Sequence, residues 1–212
     1  MTFNFFKEGG LEAGVDEAGR GSIIGRVYAA CVVWGRDIEY NPLYKIDDSK
    51  KISAKKREAL KEYIEKNALS YGIGYCEPWE IDENNILVCS HWAMAEAIQN
   101  ATKKIKPDYV LIDGNSFSSI CDFETHLVVG GDAKYTSIGA ASILAKTYHD
   151  EHIKKLMEEN PELKEYGLEK HMGYGTKKHI EKIDELGLSV YHRKSYKCCF
   201  GKKNYKMGNI WI

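Results

Sequence analysis

The feature that most restricts the fold is the stretch RVYAACVVW at 26–34. Val27, Ala29, Cys31 and Val33 alternate with Tyr28, Ala30, Val32 and Trp34, and both sets are apolar. Successive side chains on a strand point to opposite faces, so this strand has to be covered on both. A sheet with one wet face is excluded, and a central strand in a layered α/β domain is expected. Residues 11–17 read as a second strand, joined to a strand over 23–34 by a Gly19-Arg20-Gly21 turn.

The rest of the pattern alternates. Ser53 is placed to cap a helix running to Asn67, with Leu60, Tyr63 and Ile64 as its apolar stripe. A strand over 69–76 and a helix over 85–105 follow, the latter with Ala93, Met94, Ala97, Ile98 and Ala101 on one side. Short apolar runs at 107–115 and 126–134 end in Asp and Gly, and a long helix over 137–160 stops at Pro161. Another helix is expected to begin near Thr176. This order predicts a mixed sheet flanked by helices. At 212 residues the chain is read as a single domain over 1–212, whose basic region from about 160 is expected to be largely helical.

Composition removes several classes of protein. With 43% hydrophobic and 29% charged residues the chain is globular, and it has no apolar run long enough to span a bilayer. The start, MTFNFFKEGG, lacks the pattern of an export signal, so a cytoplasmic protein is expected. Six cysteines stand at 31, 76, 89, 121, 198 and 199 without CxxC spacing, which supports neither a disulfide framework nor zinc. Net charge is −1, yet between Lys170 and Lys206 ten lysines and arginines face three acids. That segment is either a solvated lysine-rich surface or a patch for a polyanion.

The chemistry sits in the acids. Asp16, Asp113 and Asp132 each follow an apolar run and adjoin glycine, and Glu17 stands beside the first. One such Asp is commonly a turn former. Three of them at the ends of neighbouring strands would converge, repel and raise one another's pKa unless a cation lay between them. Oxygen-only donors suit Mg²⁺ or Mn²⁺, and two such ions support in-line displacement at phosphorus.

GVDEAGRG, DDSKKIS, LIDGN, GDAKYTSIGAASILAKTYHD, GYGTKKH and HRKSY occur in the order found in type 2 ribonucleases H, and from about 13 to 196 the chain resembles the ribonuclease HII family. The resemblance implies a ribonuclease H-like fold, a mixed five-stranded sheet flanked by helices with a C-terminal helical region. It implies metal-dependent cutting of RNA in RNA–DNA hybrids and at single ribonucleotides in duplex DNA, on the 5′ side, leaving 5′-phosphate and 3′-hydroxyl. The roles it carries are ribonucleotide removal from DNA and removal of RNA primers. Asp16, Glu17, Asp113 and Asp132 match the family's metal-binding and catalytic acids, with two divalent ions, Mg²⁺ or Mn²⁺.

Gly19, Arg20 and Gly21 match the loop that reads the ribose 2′-hydroxyl through its backbone, and Tyr174 matches the tyrosine that stacks on the sugar at the junction. Lys50, Lys146, Thr176, His179 and Arg193 fall at positions resembling substrate contacts, the last two alternatively structuring the C-terminal region. His192 is read as structural. One departure stands out, Arg26 in place of a usual proline, whereas Arg20 agrees with the type 2 pattern and differs from the lysine of the related type 3 enzymes. The tail shows no clear sliding-clamp motif, and a monomer is expected. A ribonuclease H without junction preference, a resolvase of the same broad fold and a non-catalytic nucleic-acid-binding module remain the alternatives.

Overall fold

The computed structural model describes residues 5–36, 52–118 and 122–204, with the backbone alone of 206, 207, 210 and 211. Five strands form one sheet: β1 (Glu12–Ala18), β2 (Val27–Trp34), β3 (Ser70–Cys76), β4 (Tyr109–Asp113) and β5 (Glu124–Val128). Their order is β3-β2-β1-β4-β5. β1, β2 and β3 pair antiparallel, whereas β1, β4 and β5 run parallel. β2 is buried along its whole length, as its two apolar faces require.

The helices are α1 (Ala54–Asn67), α2 (Pro78–Asn84), α3 (Ile86–Ala101), α4 (Thr136–Glu159), α5 (Leu168–His171) and α6 (Lys177–Leu186). Val15, Ala29, Cys31 and Val33 pack with Ala93, Met94 and Ala97 of α3 on one face of the sheet. Ala30, Val32 and Trp34 pack with Leu60 and Ile64 of α1 and with Ala140, Ile143 and Leu144 of α4 on the other. α4 approaches β1 closely because position 14 is glycine. A Cβ there would stand 2.2 Å from the backbone N of Ile138. This close packing sets the start of α4 over the strand that carries Asp16.

Several boundaries differ from the sequence reading. The second strand begins at Val27 rather than 23, because Gly25 adopts φ +77° and Ser22 and Ile24 make only isolated bridges, to Tyr174 and His192. The helix expected over 85–105 spans Ile86–Ala101, preceded by the unanticipated α2. Pro78 starts α2, Glu80 accepts the backbone N–H of Glu77 at 2.7 Å, and Asn85 at φ 67° separates it from α3. In the last strand Asp132 lies beyond the ladder, in a 3₁₀ turn at Gly131–Ala133. Pro161 opens a further 3₁₀ turn after α4. Helix in the C-terminal region ends at Leu186, and 187–204 continue as turns held by side-chain hydrogen bonds. The backbone of β6 (Lys206–Met207) and β7 (Ile210–Trp211) forms a separate two-stranded ladder.

Candidate active site

β1 and β4 are parallel neighbours, so the ends of both strands open at the same edge of the sheet. Asp16 and Asp113 stand there. Asp16 is 6% exposed, and its carboxylate accepts the backbone N–H of Glu17 at 2.7 Å and the hydroxyl of Ser142 from α4. Burial pushes the Asp16 pKa well above the usual carboxylate range, and the neighbouring charges of Glu17 and Asp113 push the same way. Asp113 Oδ1 accepts the backbone N–H of Gly131 at 2.6 Å, which ties the turn bearing Asp132 to the end of β4.

A cavity of about 200 Å³ opens at this edge, lined by Asp16, Glu17, Gly19, Arg20, Gly21, Asp113, Ser142, Lys146 and Tyr174 among others. Asp132 is not part of its wall. Among the described residues no three His, Cys, Asp or Glu side chains are gathered closely enough to hold a metal ion. The fit to a hard cation rests on the donors themselves. They are all oxygens, and the buried Asp16 carries an electrostatic penalty that a divalent ion would remove. Glu17 meanwhile pairs with Arg20, Oε1 to Nη1 3.2 Å, in a half-exposed bridge of the kind worth under about 1 kcal/mol.

The loop after β1 is shaped by close contacts. Gly19 has φ +88°, and a Cβ there would sit 2.4 Å from Cδ2 of His149. A Cβ on Gly21 would meet the Tyr174 ring at 3.3 Å. Lys146 Nζ lies 5.1 Å from the centre of that ring and bonds Asp150 at 2.7 Å, an acid that Arg57 also holds at 2.9 Å. Asp150, Arg57, Ser142 and His149 were not picked out from the sequence. Ser142 is a small polar residue four before Lys146, one turn away on the same helix, and that spacing could have found it.

The remaining expected contacts separate. Thr176 caps α6, accepting the N–H of His179 at 3.3 Å, and is exposed. Lys50 lies outside the described residues. His179 and Arg193 are fully buried. Nε and Nη1 of Arg193 donate to the carbonyls of Gly25 and Gly19, at 2.9 and 2.8 Å, so neither nitrogen reaches solvent as the contact reading would require. Ser189 N–H donates to Nδ1 of His192 at 3.0 Å, His192 and His179 meet through Nε2 at 3.2 Å, and Nδ1 of His179 faces the Tyr174 carbonyl at 3.1 Å. This chain assigns the tautomers: His192 carries its proton on Nε2 and His179 on Nδ1, both rings neutral. Burial holds their pKa values down, to about 3 and about 4. Arg26, the departure from the family's proline, is anchored by Glu77 at 2.6 Å and stacks over Tyr75 at 4.1 Å.

Sheet order and helix placement are those of the ribonuclease H-like fold. The ribonuclease H2 of Pyrococcus horikoshii OT3 superposes with a TM-score of 0.75 at 25% identity, over 89% of this chain and 95% of that one. Bst-RNase HIII, solved in complex with Mn²⁺, matches in fold at a TM-score of 0.70 and 15% identity, over 89% of this chain and 68% of that one. A PCNA:RNase HII complex from Archaeoglobus fulgidus contains a chain matching at 0.70 and 25% identity, over 88% and 95%. The family model Ribonuclease HII matches residues 13–199. A Ribonuclease HII of Bacteroides thetaiotaomicron is 45% identical over 196 residues, 92% of this chain and 94% of the relative. That of Pelagibacter ubique is 45% identical over 184 residues, 87% and 94%. This chain belongs to the ribonuclease HII family and is an endonuclease of the ribonuclease H type.

Proposed function

We propose that this enzyme hydrolyses the phosphodiester on the 5′ side of a ribonucleotide, in RNA–DNA hybrids and at single ribonucleotides within duplex DNA, leaving 5′-phosphate and 3′-hydroxyl. The observation that carries the reading is the shared wall of one cavity: Asp16, Glu17 and Asp113 on one side, Gly19–Gly21 and Tyr174 on the other. Asp16, Glu17, Asp113 and Asp132 would hold Mg²⁺ or Mn²⁺, two ions in the active complex, drawing Asp132 in from its turn. Such ions supply an activated water and charge stabilisation at phosphorus. The chain's own residues do the rest. Ser142 orients the Asp16 carboxylate, and Arg20 releases Glu17 at little cost.

Gly21 leaves room for the Tyr174 ring, which stacks on the sugar of the junction while Lys146 faces the phosphate. A glycine loop lets the backbone approach the 2′-hydroxyl, the group that distinguishes RNA from DNA. Thr176, at the N-cap of α6, offers backbone N–H groups to a phosphate further along the duplex. The cellular roles are ribonucleotide removal from DNA and RNA primer removal. We place the enzyme in the cytoplasm as a monomer. Its buried free thiols support a reducing compartment, and no helix among the described residues is long and apolar enough to cross a membrane. The tail, without a glutamine–aromatic motif, supplies no clamp contact.

The test is cleavage of an end-labelled DNA duplex carrying one ribonucleotide, beside an RNA–DNA hybrid and an all-DNA duplex, in Mg²⁺, Mn²⁺ or EDTA. One metal-dependent cut 5′ to the ribonucleotide is the expected product. Cutting of the hybrid alone would remove junction recognition and leave a ribonuclease H without that preference.

A further inference from the structure

We infer that Arg193 and Tyr196 are positioning residues for the Gly19–Gly21 loop, holding its carbonyls inward so that the N–H groups of Arg20 and Gly21 face the cavity as a donor pair for a substrate oxygen. The inference rests on the reading of that loop as the ribose-recognition element, and it names what gives the loop its orientation.

Arg193 is fully buried. Its fork spans the loop, with Nε on the Gly25 carbonyl at 2.9 Å and Nη1 on that of Gly19 at 2.8 Å. The Tyr196 hydroxyl accepts from Arg193 Nη1 at 2.8 Å and donates to the carbonyl of Arg20 at 2.6 Å. The backbone N–H of Arg193 also donates to Ile23 at 2.9 Å. Carbonyls 19 and 20 are therefore both drawn toward the guanidinium side. In a trans peptide the N–H points opposite to the C=O, and there are no cis bonds here, so the N–H groups of Arg20 and Gly21 point away from Arg193. Among the described residues neither N–H donates to any group, while Arg20 and Gly21 both line the cavity.

The clamp is itself anchored. Asp82 of α2 accepts the backbone N–H groups of Lys194 and Ser195, at 3.0 and 2.8 Å, fixing the turn from which Arg193 and Tyr196 project. A lysine cannot reproduce the arrangement, because one ammonium has no planar fork to reach carbonyls on both ends of the loop.

The experiment compares wild type with Arg193→Lys and Tyr196→Phe. Three quantities are read: kcat/KM on a duplex with one ribonucleotide, affinity for the all-DNA duplex in EDTA, and hydrogen exchange across 19–25. Arg193→Lys is expected to lose about tenfold in kcat/KM and Tyr196→Phe about threefold. DNA affinity should be unchanged, and exchange at 19–25 faster in both. A merely structural role would instead weaken both duplexes in parallel, and that result, or unaltered exchange at 19–25, overturns the inference. Should Arg193→Lys fail to fold, Tyr196→Phe, which removes one hydroxyl, carries the test. If wild type does not prefer the ribonucleotide, the reading of the loop fails separately, and the clamp is judged on exchange alone.

Discussion

The two walls of the cavity are built differently. On the acid side, Asp113 ends β4 and Asp16 stands two residues before the end of β1, opposite Ala30, in neighbouring strands laddered into the sheet. Their positions follow from main-chain pairing close to the core. On the loop side, residues 19–25 have little regular pairing of their own and lean on Arg193 and Tyr196, more than 160 positions later in the chain. Tyr174 leans likewise on the His192–His179 relay. One wall inherits its rigidity from the sheet, whereas the other borrows it from a C-terminal segment. Chemistry and recognition should therefore be separable by mutation.

Asp113→Asn is the largest expected blow. The amide oxygen can still accept from Gly131, so the fold survives, but cleavage should fall on the order of a thousandfold or more while duplex binding persists. A variant that lost binding yet kept metal-dependent cutting would break the division. Tyr174→Ala acts on the other wall. Loss of the ring that packs on the junction sugar is expected to slow cutting at lone ribonucleotides more than cutting of long hybrids. Equal losses on both substrates would argue against stacking at the junction.

The smallest effect concerns stability against pH. His179 and His192 titrate near 6.5 when unfolded but at about 4 and about 3 in the fold, so the unfolded chain binds more protons between those values. Their contribution is complete above pH 6.5 and is lost as pH falls toward 4, by on the order of 1 kcal/mol per group per pH unit at most. Asp16, with its pKa raised, has the opposite sign and gains as pH falls through its folded pKa. Denaturant midpoints at pH 7.5, 5.5 and 4.5 should decline, the histidines outnumbering the acid. A midpoint that held or rose would show that the relay is not neutral in the fold.

The acid wall was the more legible of the two. Alternating apolar residues at 27–34 identified a strand covered on both faces, and Ser53 does cap α1. Asp16 and Asp113 stood out because each ends such an apolar run. Asp132 was found by the same sign, though it lies in a 3₁₀ turn past its strand. Arg193 reads from the sequence as a substrate contact or as a support of the C-terminal region, and its burial, with Nε and Nη1 on carbonyls far away in sequence, favours the second reading. His149 gives no periodic sign of the Gly19 backbone above it, and α2 is too short for its apolar stripe to register.

The sequence by itself determined the class of fold, the strand-end acids and the glycine loop, because strand periodicity, turn chemistry and motif order are local properties. Only the tertiary structure decided that Ser142 turns toward Asp16, that Asp132 stands back from the cavity, and that Arg193 and His179 support the site from inside. Those outcomes depend on which distant carbonyls and side chains meet once the helices close over the sheet. A buried polar group takes its role from the partners it finds there.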